Sequence, residues 1–268
     1  MTARAPLWLG LAATATFALA CAPKPLTPEE AKTKGDTLLR QMSQTAATVQ
    51  TFSYTADETR DKVEAGGKKT QEHFTRRVVI RRPNALAFSD EGTAHDLSAW
   101  YSNSKITLVS NKAKVWARGP MPATLDDALD FVSSEYAIQI PGADLLYTSP
   151  YDALMTPDTT GGWVGVDTID GKPYDHVAYS QPLVDWELWL TQDDRHVPHR
   201  ARFTYKKAEG QPVTQLDYRD FNPAPQVSDA TFTPVIPDGY TRIKIMRHAT
   251  VEDKTVAADT PSSDQKPK

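Results

Sequence analysis

The sequence predicts an α+β fold that is mainly antiparallel β, on three observations. One amphipathic stripe marks a helix near the start of the folded part, the apolar period switches to two from residue 51, and short alternating segments then recur between polar turns. The stripe is Leu38, Met42, Ala46 and Val49, all on one side of a helix of roughly 20 residues. Thr27-Pro28-Glu29-Glu30 opens that helix, with a hydroxyl cap, Pro at the first position and Glu30 three residues after the cap.

From Thr51, Phe52, Tyr54 and Ala56 alternate with Ser53, Thr55 and Asp57; after a Gly66-Gly67 turn, Phe74, Val78 and Ile80 resume the pattern. Further strands are expected around 86–88, 97–102, 106–110 and 114–118, an antiparallel meander. Thr124 caps a helix over 125–136, with Asp126 and Asp127 in its positive first turn. A second helical patch follows near 143–155, interrupted by Pro150. Strands return at 163–169 and 174–180, joined through Asp170-Gly171 as a hairpin, and continue at 184–191, 199–206 and 213–221. A last short strand is expected at 243–246.

The ends carry the address. Residues 1–20 hold one basic residue, Arg4, and an apolar run from Leu7 to Ala20, the layout of a signal peptide too short for an ordinary spanning helix. Ala18-Leu19-Ala20 leads directly into Cys21, the one cysteine of the chain. This resembles the lipobox of bacterial lipoproteins, with Ala18 where Leu is usual. The resemblance implies acylation of Cys21 and attachment to a membrane through the N-terminal lipid, which takes more than one acyl chain to be stable. Ala22, where inner-membrane retention uses Asp, favours the outer membrane over the inner, on the periplasmic side of the envelope. The organisation expected is a leader at 1–20, a tether at 21–27, one domain over 28–248, and a disordered polar tail at 249–268.

Charge excludes one class of function. With 30 Lys+Arg against 34 Asp+Glu, the chain is mildly acidic and gives no basic face for nucleic acid. A single cysteine allows no intrachain disulfide, so stability must come from a core. The sequence does not give the oligomeric state, and a monomer is the expectation. No G-x-S-x-G, H-E-x-x-H, P-loop or G-x-G-x-x-G occurs, so neither a cofactor nor a particular reaction is indicated, and the chain is read as non-enzymatic.

Two stretches carry a family resemblance. Val78-Val79-Ile80-Arg81-Arg82-Pro83-Asn84, followed by Trp100-Tyr101-Ser102-Asn103 and Ile106-Thr107-Leu108, resembles strands of the LolA/LolB lipoprotein-carrier superfamily. Leu145-Leu146-Tyr147, Ser149-Pro150-Tyr151, Trp163-Val164-Gly165, Asp175-His176 and Asp185-Trp186-Glu187-Leu188-Trp189 are similar to a family of predicted periplasmic proteins of unknown function placed near that superfamily. The resemblance covers roughly residues 35–245. It implies a curved half-barrel (an incomplete barrel) with helices packed in its concave side, where the carrier relatives receive acyl chains.

A helix lying imperfectly in a curved sheet leaves an apolar cavity, a natural ligand site. Its expected lining is Leu38, Met42, Phe52, Tyr54, Phe74, Val78, Trp186 and Leu188, each of which also serves as plain core. The leading expectation is a lipid or lipoprotein acyl chain as ligand. The alternative is an envelope protein-interaction module with a packed core. A third reading, a hydrolase, would need Asp185 and Glu187, on one strand face roughly 7 Å apart, to converge in a cleft. The opposite expectation pairs them with Arg200 and Arg202 on a solvated outer face. His176 is expected to be a hydrogen-bonded structural residue. His196 and His199, spaced by three beside Asp193 and Asp194, lack the helix that would align them on a metal, and no metal site is assigned. Arg76-Arg77 and Arg81-Arg82 are expected on solvated faces, each pair split by the alternation.

Overall fold

A computed structural model describes residues 25–92 and 96–247. The leader, Cys21 and the tail at 249–268 lie outside these residues. The chain begins with α1 (Pro28–Thr48), then β1 (Thr51–Val63), β2 (Lys69–Arg81), β3 (Ala85–Gly92), β4 (Asp96–Ser102), β5 (Lys105–Ser110) and β6 (Val115–Pro120). An insertion carries α2 (Leu125–Tyr136), a 3-10 turn (Ala143–Leu146) and α3 (Pro150–Leu154). The second set is β7 (Thr160–Ile169), β8 (Lys172–Ser180), β9 (Val184–Thr191), β10 (Pro198–Tyr205) and β11 (Val213–Asn222). A 3-10 turn (Asp229–Phe232) and β12 (Thr241–Ile243) end the described chain.

All strands join one open sheet in the order β12-β6-β5-β4-β3-β2-β1-β11-β10-β9-β8-β7. Two meanders are thus stitched together where β1 meets β11, with Ala56 opposite Tyr218 and Glu58 opposite Leu216. The sheet is a half-barrel, not closed, with helices on its concave face. Alternation sorts the side chains. Phe52, Tyr54, Ala56 and Glu58 of β1 face inward beside Ile80, Val78, Arg76 and Phe74 of β2.

The helix begins as the sequence predicts: Thr27 accepts from the Glu30 amide at 3.3 Å, and Glu30 accepts from the Thr27 amide at 2.8 Å. Its stripe has two fates. Leu38 and Met42 join Trp186, Leu188, Leu190, Phe203 and Leu216 in one core. Ala46 and Val49, further along, are only half-buried. At the other end α1 touches β7 backbone to backbone. A Cβ on Gly35 would stand 2.8 Å from the Gly162 carbonyl carbon, and one on Gly162 would stand 2.6 Å from the Ala31 oxygen. A second core, with Phe52, Val78, Ile80, Leu86 and Tyr101, is covered by α2 through Leu125 and Ala128.

Two expectations need correction. The last strand is 241–243 rather than 243–246, and it runs parallel to β6. Pro150 does not interrupt a helix. It starts α3 at a first-turn position, where its missing N–H costs no bond.

Candidate functional site

The β9–β10 turn, the second half of α1 and the insertion meet over β1 and β11 and leave a groove. Met42, Thr45 and Ala46 of α1 and Val49 just past it form one wall; Phe52, Phe221, Leu145, Pro150, Arg195, Val197 and Pro198 form the rest. A second cavity shares Phe52, Leu145, Val197, Pro198 and Phe221 and extends to Tyr54, Leu146 and Tyr218. Each has a volume of about 70 Å³ and an almost wholly apolar lining. Drug-sized ligands occupy pockets of ~300 Å³ or more. A chain longer than a few carbons therefore fits only if part of the wall moves.

The segment 137–149 supplies Leu145 and Leu146 to these walls. Gly142 lets it lie flat on the sheet: its φ is +74°, and a Cβ there would stand 2.8 Å from the Tyr218 hydroxyl. An arginine at the end of β2 ties it to the sheet. Arg82, just past β2, donates from Nη2 to the carbonyls of Leu146 (2.7 Å) and Tyr147 (2.8 Å), and from Nη1 to Thr148 Oγ1 (3.2 Å). Asp126 of α2 lies 3.6 Å from Nη1 and accepts from the Thr148 amide at 3.1 Å. Tyr147 donates to Asp130 at 2.7 Å. Burial lowers the Arg82 pKa, with Asp126 opposing, and the guanidinium lies 5.6 Å from the Phe52 ring. Asp144, on the same segment, has its carboxyl pushed above the usual range by burial.

Below the segment the concave floor turns polar. Glu58 is 1% exposed and pairs with Arg60 through Oε1. Arg76 grips Asp90 with two bonds, at 2.7 and 2.8 Å, and stands 3.5 Å from Glu58 Oε2. The expectation of solvated arginines fails for Arg76 and Arg82, which the concave face buries. It holds for Arg77, on the opposite face with Glu91 at 2.7 Å. Arg81 pairs with Asp229 and covers Phe232, pinning the C-terminal segment to the convex side.

Of the residues expected to line a cavity, Met42 and Phe52 border the groove and Phe52 and Tyr54 the second cavity. Leu38, Trp186 and Leu188 lie in one core and Val78 in the other. Phe74 is 4% exposed, with the Arg60 and Arg76 guanidiniums each 5.5 Å from its ring. Leu145, Val197, Pro198, Phe221 and Arg82 were not among the expected lining, because segments far apart in sequence bring them together.

Asp185 and Glu187 do not converge. Asp185 pairs with Lys206 at 3.0 Å; Glu187 holds His176 Nε2 at 3.0 Å and stands 3.8 Å from Arg202. Arg200 pairs with Asp217 instead of either. His176 is stacked on Trp189 at 4.2 Å, with Asp167 at 3.0 Å from its other nitrogen. His199 stacks on Tyr174, and His196 lies 3.2 Å from the Thr191 carbonyl. Among the described residues no group of three or more His, Cys, Asp or Glu is placed to hold a metal ion.

Residues 35–246 match the model of a family described as "Predicted periplasmic protein (DUF2092)", and the chain belongs to that family. No curated protein matches it. Among solved structures it is similar to an uncharacterized conserved protein from Thermus thermophilus, at 11% identity and a TM-score of 0.46, covering 78% of this chain and 98% of that one. The lipoprotein LppX of Mycobacterium tuberculosis is similar at 15% identity and a TM-score of 0.44, over 72% and 97%. A LolA superfamily protein from Nitrosomonas europaea follows at 12% and 0.36, over 75% and 98%. At these scores and identities the likenesses identify neither a ligand nor a partner for this chain.

Proposed function

We propose that this chain is a non-catalytic, lipid-anchored binding protein of the outer envelope, which takes an apolar or acyl chain into the groove between α1, Phe52 and Phe221. The observation that carries the reading is the groove itself. It is apolar, lies between two cores, and is roofed by a segment that one arginine ties to the sheet. A well-packed core has no use for such a seam, whereas a binding protein needs a wall that opens. Cys21 supplies the anchor and keeps the protein on its membrane. Asp185 and Glu187 sit in separate ion pairs on an outer strand face, which gives no ground for a hydrolase.

The test is native mass spectrometry of protein exported behind an ordinary secretory leader with Cys21→Ser, so that no anchor contributes lipid. Co-purified lipid, lost in a Phe52→Trp or Ala46→Trp variant that fills the groove, is the expected result. Protein free of lipid that also fails to bind a fluorescent fatty acid would sink the proposal.

A further inference from the structure

The tether and the groove lie at opposite ends of α1. The capping box at Thr27 fixes where the helix starts, and the Gly35–Gly162 contact fixes that end against β7. Lys34 adds to the hold, 3.4 Å from the centroid of the Trp163 ring and 3.7 Å from Asp175, to which the Trp163 indole donates at 2.7 Å. Only residues 22–26 separate Cys21 from this rigid start. A stretch of that length reaches at most ~20 Å. The groove wall at Val49 lies further along the helix by ~33 Å at the usual rise.

The side of the sheet that the tether reaches has its own character. β7 is an edge strand, with β8 as its one neighbour in the sheet. It carries two exposed aliphatic side chains, Val164 (58%) and Val166 (48%), and Leu26 at the foot of the helix is 41% exposed. A bulge between Trp163 and Gly165 turns Val164 out of register. Exposed carboxylates at Asp158 and Asp167 flank the valines.

We propose that the β7 edge, with Leu26, Val164 and Val166, is the face apposed to the phospholipid surface that holds the anchor, and that the groove is carried at the membrane-distal end of α1. This rests on the reading of Cys21 as acylated. The contact is shallow: the free backbone groups of an edge strand need water, so β7 lies in the headgroup layer and not in hydrocarbon. The flanking carboxylates make it an apolar contact rather than a charge-driven one. A groove held distally receives its ligand from the periplasmic side, not by lateral entry from the anchoring leaflet.

The experiment uses the full-length acylated protein in vesicles of phosphatidylethanolamine and phosphatidylglycerol containing a spin-labelled lipid quencher. A fluorophore is placed in turn at Val164→Cys, Val166→Cys and, as the distal reference, Ala47→Cys. Several-fold stronger quenching at 164 and 166 than at 47 is expected, little changed by added salt. Equal quenching, or stronger quenching at 47, overturns the orientation. Mass spectrometry of the N-terminal peptide separates the two ways of failing. Cys21 without a diacylglyceryl group removes the anchor and the proposal with it, while an acylated protein with unquenched valines removes the proposal alone.

Discussion

Arg82 Nη2 donates to the Leu146 carbonyl at 2.7 Å, across 64 residues of sequence. With the bonds to Tyr147 and Thr148 it ties the groove's roof to the end of β2. Arg82→Leu leaves two carbonyls without their donor and is expected to cost about 2–3 kcal/mol in urea unfolding. The same change should speed uptake of a fluorescent fatty acid, because the roof no longer resists opening. Arg82→Lys should not restore the parent, since an ammonium cannot fork to two carbonyls as a guanidinium does. Unchanged uptake with Arg82→Leu would mean that the roof is not the gate.

Gly35 and Gly162 make the second test. A methyl group at either meets backbone atoms closer than 3 Å, and backbone cannot step aside. Gly35→Ala and Gly162→Ala should each cost about 1–3 kcal/mol, the range of overpacking in a tight site. Gly165→Ala is the control, because an added Cβ there meets nothing within 4 Å. Thermal unfolding of the three variants decides it, and equal melting temperatures would remove the close approach as a reason for these glycines.

Arg76 and Arg77 are neighbours on β2 with opposite surroundings. Arg76→Met strips buried Asp90 of its cation and leaves Glu58 with Arg60 alone, which costs about 3–5 kcal/mol for a buried pair broken on one side. Arg77→Met removes only an exposed partner of Glu91 and should leave chemical denaturation unchanged within error. Comparable losses in the two variants would contradict the alternation that places them on different faces.

Asp144 gives a pH prediction with a definite sign. Burial raises its carboxyl pKa above the usual 3.8, so the folded state binds the proton more tightly than the unfolded chain does. Its contribution is whole below pH 3.8 and is lost as pH rises through the folded-state value. Asp144→Asn should therefore be more stable than the parent at neutral pH, with the gain shrinking toward acid. Glu187 runs the other way. The His176 hydrogen bond depresses its carboxyl below 4.5, so that contribution is present above 4.5 and is lost on acidification; Glu187→Gln should flatten the acid limb. Urea unfolding across pH checks both, and a parallel pH profile for parent and Asp144→Asn would refute the first.

Much of the fold was legible because its determinants are local. The Thr27–Glu30 box and the stripe through Leu38 and Met42 marked α1; the alternation from Phe52 and the turn at Asp170-Gly171 marked strands and a hairpin. β12 was displaced because three exposed residues, held by backbone pairing to β6, carry no alternation to read. Part of the groove was legible too. Met42, Phe52 and Tyr54 follow from periodicity, while Val197 in the β9–β10 turn, Pro198 at the start of β10 and Leu145 in a 3-10 turn have no period to read.

The sequence by itself determined which residues face together along each element, because a side chain's side of a strand or helix follows from position alone. It also supplied the lipobox-like end at Cys21. Only the tertiary structure decided which face of each strand is concave, and hence that Arg76 and Arg82 are buried while Arg77 is not. It also decided that Ala46 and Val49 border a groove while Leu38, on the same stripe, lies in the core. The reason is physical: burial depends on what arrives from elsewhere in the chain, and the roof over β1 comes from an insertion that follows it by about 80 residues.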